Sequence, residues 1–400
     1  MVQIILWRAN ILKTTYLALV LLAFQQSVAA ADQNRILEVG PQRVIKTVAE
    51  AATMAKDGDI LEVDAGDYVR DVAVWAANNL TVRAKNGRVR LLAGGASAEA
   101  KAIWVVRGGK MTVSGFDFVG ASVPDRNGAG IRLEKGTLVV RDCRFLHNEN
   151  GILTGSDAAS TLKIENSEFG YNGFGDGQSH NLYVGGISSL WVSGSYFHHA
   201  KVGHLFKSRA AENHVFYNRL TDETAGTASY ELEFPSGGIA YVVGNIIQQS
   251  ATTENPNIIS FGAEQMRQSA NKLYLVNNTL VDYRPQGGRF LRVAPGTQVV
   301  AVNNLLLGKG TLDQAGPGIY QNNFNVDFDE FALAVREDFR LKANSRLIGK
   351  TAKVPIIAGV EMRPTAEYQH PRSTRRVSQE FLNPGAMQSS SATTAKTVAP

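Results

Sequence analysis

Cysteine is almost absent: Cys143 stands alone among 400 residues, which excludes an intramolecular disulfide framework and any cysteine-based zinc cluster. The role expected of it is that of a small buried apolar group. No block of five or more like charges occurs, and 41 Lys and Arg against 36 Asp and Glu leave only +5. That balance argues against a dedicated nucleic-acid arm, while its mild basicity suits an acidic ligand. Phosphate-binding glycine loops, His-Glu-x-x-His helices and Gly-x-Ser-x-Gly elbows are missing as well. No cofactor is therefore expected, with a divalent cation such as calcium left open. What remains, 44% apolar residues with 38 glycines, is globular composition.

The first thirty residues differ from the rest. Arg8 and Lys13 form a basic start, an apolar run spans Tyr16 to Phe24, and small residues Ser27-Val28-Ala29-Ala30-Ala31 follow. Residues 1–30 are expected to be an export signal, placing the mature chain in the periplasm or outside the cell. The run is shorter than the roughly 20 residues of a membrane span, and no other segment resembles one, so no stable membrane insertion is expected. Residues 31–387 are expected to form one domain, and residues 388–400, poor in apolar side chains, a disordered tail.

A short phrase recurs through the middle of the chain: an alternating apolar strand ending in Val or Ile, then a polar residue, then Gly, Asp or Asn. Its anchors are Val113, Val140, Ile164, Val192, Val243, Val276 and Val302, with a looser copy at Val215, at spacings of 23 to 33 residues. A period of that size belongs to a solenoid. A second strand precedes each anchor, carrying Ile131, Ile152, Leu182, Phe206, Tyr230, Ile259 or Phe290, and no 3.6-residue periodicity separates the two. The expected fold is all-β: a single-stranded, right-handed parallel β-helix in which the anchors point inward in one column. Asn166, Asn245, Asn278 and Asn304 are expected as structural turn residues. An open end needs a cover, and Thr47–Lys56, with Thr47 as N-cap, is expected to be a short N-terminal capping helix.

The stretch Asp57-Gly58-Asp59-Ile60-Leu61-Glu62-Val63-Asp64-Ala65-Gly66-Asp67-Tyr68 looks like the first strand of right-handed parallel β-helix proteins. Asp338–Ile348 and Asn383-Pro384-Gly385-Ala386 resemble the way those proteins end. Together they give residues 36 to about 388 a resemblance to the pectin-lyase-like superfamily. That resemblance implies a carbohydrate-active protein without choosing among lyases, hydrolases, epimerases, esterases and adhesins. The acidic pairs of polygalacturonases and the Asp-rich calcium cluster of pectate lyases have no counterpart in the relevant strands.

Chemistry concentrates in residues 178–238. Aligning Leu182, Phe206 and Tyr230 at a spacing of 24 puts Tyr183, Lys207 and Glu231 in one outward column and Gly185, Arg209 and Glu233 in the next. His180 and His204 share that register, with Asn181 beside them as a further substrate contact, and the Gly-rich insertion 170–179 adjoins the patch. Two readings of the patch are open. In the first, an acidic polysaccharide undergoes β-elimination or C5 epimerisation: Arg209 binds the uronate carboxylate, Lys207 or His204 is the base, Tyr183 is the acid, and His180 borders the site. In the second, Glu231 and Glu233 are the carboxylate pair of a glycoside hydrolase. A non-catalytic glycan-binding scaffold using Tyr183, Trp191, Tyr196, Phe197 and Tyr217 is the third possibility. His198, His199 and His214 look like loop positions.

Overall fold

The computed structural model describes residues 34–313, 317–354, 356–378 and 382–388; the expected export signal lies outside them. The chain winds as a right-handed parallel β-helix of three faces. The third face is a sheet of ten strands, from Ala73–Trp75 to Thr311–Leu312. The other two belong to one 21-stranded sheet. They are joined at the start by the long strands Ile60–Val69 and Leu80–Leu92, the second of which bends to pair with both Lys110–Ser114 and Phe116–Val119.

Side chains alternate on each strand, so every face sends one row inward. On the first face the inward column is Val82, Val113, Val140, Ile164, Val192, Val215, Val242, Leu275 and Ala301. The first four expected anchors and Val215 fall in it. Val243, Val276 and Val302 do not: they stand one residue later, in the outward column. They are nonetheless buried, because Val354, Ile357, Val360 and Met362 of the C-terminal segment pack over Val243 and Val276. Inside the second face Phe118, Phe145, Phe169 and Phe197 stack with ring centroids 4.9, 4.7 and 4.6 Å apart, close to the spacing of neighbouring strands.

The expected turn asparagines divide into two kinds. Asn166 is left-handed at φ 49°. Asn218, Asn245, Asn278, Asn304 and Asn323 instead point into the coil, each side-chain amide donating to the next at 2.7–3.1 Å. The capping helix runs Val48–Met54, with the Thr47 hydroxyl accepting from Glu50 N. Asp71 accepts from Val48 N and Ala49 N, both at 2.7 Å, which satisfies further free amides of the first turn.

Cys143 is buried, and burial pushes its thiol up to about 12. Gln388 is not the start of a free tail: its amide N donates to Glu367 at 2.6 Å and its side chain to Gly385 O at 2.8 Å. Residues 389–400 lie outside the described residues.

Candidate functional site

The strands Leu182–Val184, Phe206–Ser208 and Leu232–Phe234 are neighbours on the third face. Tyr183 lies opposite Lys207, and Lys207 opposite Glu233. This corrects the expected columns. Counting 24 residues from Phe206 reaches Tyr230, but the ladder aligns Lys207 with Glu233, an offset of 26. The outward column is therefore Tyr183, Lys207, Glu233, followed by Ser260 and Arg292.

Glu231 is not in it. This residue is fully buried, and neither of its carboxyl oxygens has a hydrogen-bond partner among the described residues. Burial pushes the carboxyl well above the usual carboxylate range, with Asp222 and Asp282 adding to the effect. Asn181 is also withdrawn from the surface. Its Oδ1 accepts from Asn172 Nδ2 at 2.8 Å and its Nδ2 donates to His198 O at 2.8 Å, a structural role instead of the expected substrate contact.

The remaining predicted residues converge. Glu233 Oε2 lies 3.0 Å from His204 Nδ1 and 3.4 Å from Lys207 Nζ. Burial opposes the Glu233 charge, yet His204 and Lys207 outweigh it and hold the carboxyl below its ordinary value. Lys207 Nζ and the Arg209 guanidinium sit 5.7 and 5.2 Å from the centre of the Tyr183 ring, within cation–π range. The His180 ring stands steeply to the same ring, at 74° with centroids 4.9 Å apart.

The two histidines are locked by backbone. His204 N donates to His180 Nδ1 at 2.9 Å, which puts the proton of a neutral His180 on Nε2. Burial, then the neighbouring His204, Lys207 and Arg209, hold His180 well below its ordinary value and hence uncharged near neutrality. Burial lowers His204 too, with Glu233 pulling the other way. Gly203 makes this seat: a Cβ there would fall 1.9 Å from Ser179 O, so any larger residue would push His204 off His180.

One participant escaped the sequence reading. Glu264, beyond the strand Asn257–Phe261, places both carboxylate oxygens 2.8 Å from Arg209 Nη2 and Oε1 3.2 Å from Lys207 Nζ. Arg209 thus pairs with Glu264 and not, as its expected column implied, with Glu233. Its Nη1 is buried without a hydrogen-bond partner among the described residues. Nothing in the strand columns could signal Glu264, because it reaches the patch from a turn.

The other candidate aromatics are dispersed. Trp191 projects from the first face, stacked on His214 at 3.4 Å between centroids. Tyr196 is on the second face against Glu223, Phe197 is core, and Tyr217 receives Thr365 N. They line no common groove with Tyr183. His198 and His214 lie within strands rather than loops. Among the described residues no group of three or more His, Cys, Asp or Glu is placed to hold a metal ion, so no step is routed through one.

Comparison with known proteins adds the fold. The chain is similar to the crystal structure of pectate lyase Pel9A, with a TM-score of 0.59 over 89% of this chain and 96% of that one, at 13% identity. The two share the parallel β-helix fold. No family model and no curated protein sequence matches the chain.

Proposed function

We propose that this protein is an exported polysaccharide lyase or C5-epimerase acting on an acidic glycan at the outer face of strands 182–184, 206–208 and 232–234. The observation that carries the reading is the convergence of Tyr183, His204, Lys207, Arg209 and Glu233 on one face of a β-helix. The similarity to a pectate lyase supports a polysaccharide as partner.

In this mechanism Arg209 and Lys207 neutralise the uronate carboxylate, which stabilises the charge that develops when the C5 proton leaves. His204 is the base. Glu233 Oε2 stands 3.0 Å from its Nδ1 as a charge partner for the imidazolium that forms, and Nε2 takes the proton. Lys207, placed between two carboxylates, serves as the cation. As the C5–H bond breaks, its electron pair forms the C4=C5 double bond, the C4–O bond breaks, and the departing oxygen takes the Tyr183 proton. The phenolate left behind sits beside two cations. In epimerisation the same carbanion is reprotonated on the opposite side and no bond to oxygen breaks. His180, with Nδ1 occupied, is a positioning residue for His204.

The hydrolase alternative loses its pair, since Glu231 is inside the coil and only Glu233 faces outward. The test is incubation of the protein with acidic and neutral glycans, reading unsaturated product, reducing ends and exchange of the C5 proton with solvent. Unsaturated product or C5 exchange on a polyuronate supports the reading. Reducing ends without unsaturation, or tight binding with no turnover, overturns it.

A further inference from the structure

Glu264 stands out because it gives the site a carboxylate of its own. Lys207 and Arg209 carry two positive charges, Glu233 and Glu264 two negative ones, and His180 is held neutral. Of these four charged side chains Glu264 is by far the most exposed, at 45% against 4% for Glu233, 12% for Lys207 and 20% for Arg209. Its backbone is tethered: Glu264 N donates to Pro235 O at 3.1 Å, Arg267 N to Ser236 O at 3.0 Å, and Met266 packs on the core. The side chain can leave by rotating into solvent while the turn stays in place.

We infer that Glu264 is a specificity-determining residue, an internal carboxylate that occupies the seat of the substrate carboxylate on Arg209 and Lys207 and yields it only to another anion. The inference rests on the reading of this patch as the substrate site. Its physical basis is charge balance in a mostly closed site. When Glu264 swings out, Lys207 and Arg209 face Glu233 alone, and one positive charge is left with little water to solvate it. A uronate carboxylate restores the balance and reaches Arg209 with the same two-oxygen geometry. A neutral sugar restores nothing, and an unpaired buried charge is costly. Rejection of neutral polymers is thus achieved by an unfavourable alternative as well as by a favourable contact.

The experiment measures binding of inorganic sulfate and of a uronic acid monosaccharide by titration calorimetry to the wild type, Glu264→Asp, Glu264→Gln, Glu264→Ala and the Glu264→Ala/Arg209→Ala double variant. Removing the competing charge should tighten both anions by about tenfold in Glu264→Ala, the loss of a partly exposed charged hydrogen bond. Glu264→Gln should fall between, Glu264→Asp should stay close to wild type, and the double variant should lose the gain. A structural role for Glu264 would give the reverse order, with anion affinity lowest in the alanine variant, and would overturn the inference, as would equal affinity in all proteins. Glu264→Gln, nearly isosteric, keeps the test decisive if the alanine variant does not fold. Anion binding that tightens as expected in a protein that turns over no polyuronate would retain this inference and refute the proposed lyase or epimerase function.

Discussion

Glu231 and Glu233 are two residues apart in sequence and nearly equal in burial, yet opposite in their partners and in the direction their carboxyls shift. Glu231 is turned into the coil, where neither oxygen finds a partner among the described residues and burial holds it protonated. Glu233 is turned out, almost as buried, but pressed between His204 and Lys207 and held ionised. Desolvation acts on both, and what separates them is the presence of cations. The interior around Glu231 has others like it: burial pushes Asp222 up to about 7, and Asp282 is raised for the same reason. A carboxyl just before this strand is thus an acid inside the coil, and one on the strand's outer side is a charge-bearing base partner.

The sharpest way to break this contrast is to exchange each carboxyl for its amide. Glu233→Gln removes the partner of His204 and is expected to lower turnover on a polyuronate by roughly 10²–10⁴-fold, in the range of lost acid–base catalysis, while Glu231→Gln retains turnover within about threefold. Steady-state kinetics of both decide it, and equal losses would end the distinction. Tyr183→Phe should fall with Glu233→Gln.

A smaller effect is expected at Arg209. Removing a charged contact to the substrate carboxylate should raise KM about tenfold or more, with kcat falling less. The same polymer assayed over a concentration series separates the two parameters.

The inward side is tested by pH. A carboxyl whose folded value is raised gives stability that is fully present below the unfolded value and is lost as pH rises through the folded one. For Asp222 that window runs from about 4 to about 7, so the wild type should lose thermal stability across it. Asp222→Asn should raise the melting temperature at pH 8 by roughly 2–6 °C and leave it unchanged at pH 4. Identical pH profiles for variant and wild type would mean that Asp222 is not buried as an acid.

The smallest effect is expected at Trp191, an exposed ring on a different face. Trp191→Ala should change turnover by less than about twofold; a large loss would move the glycan path to the first face.

Much of this was legible in the chain because a solenoid repeats one physical problem. The 23-to-33-residue spacing, the first four anchors, Val215 and the Thr47 cap reflect local alternation and capping chemistry, and they sit where the sequence places them. Two kinds of feature were not legible. Val243, Val276 and Val302 look like inward anchors because they are apolar, yet they are apolar for the C-terminal segment that covers them, a contact between residues far apart in sequence. The register slip at Glu231 has a local source. The step from Lys207 to Glu233 is two residues longer than that from Tyr183 to Lys207, and in a strand a shift of that size keeps the alternation intact while moving every cross-strand partner.

The C-terminal segment also sets an order of events. Neighbouring coils bury one another, so the β-helix can consolidate as each turn leaves the ribosome. Arg372 is different: it reaches Asp142 and Glu168, each at 3.1 Å, across 230 and 204 residues of chain. Gly385 N in turn closes on Asn303 O at 2.8 Å. Contacts of such separation form late. The clasp over the first and second faces therefore shuts only after the last coil exists, and until then the apolar outward residues Val243 and Val276 are bare. Before that segment docks the protein carries a sticky flank, and a later stretch of its own chain, around Val354 and Met362, is the cover that retires it.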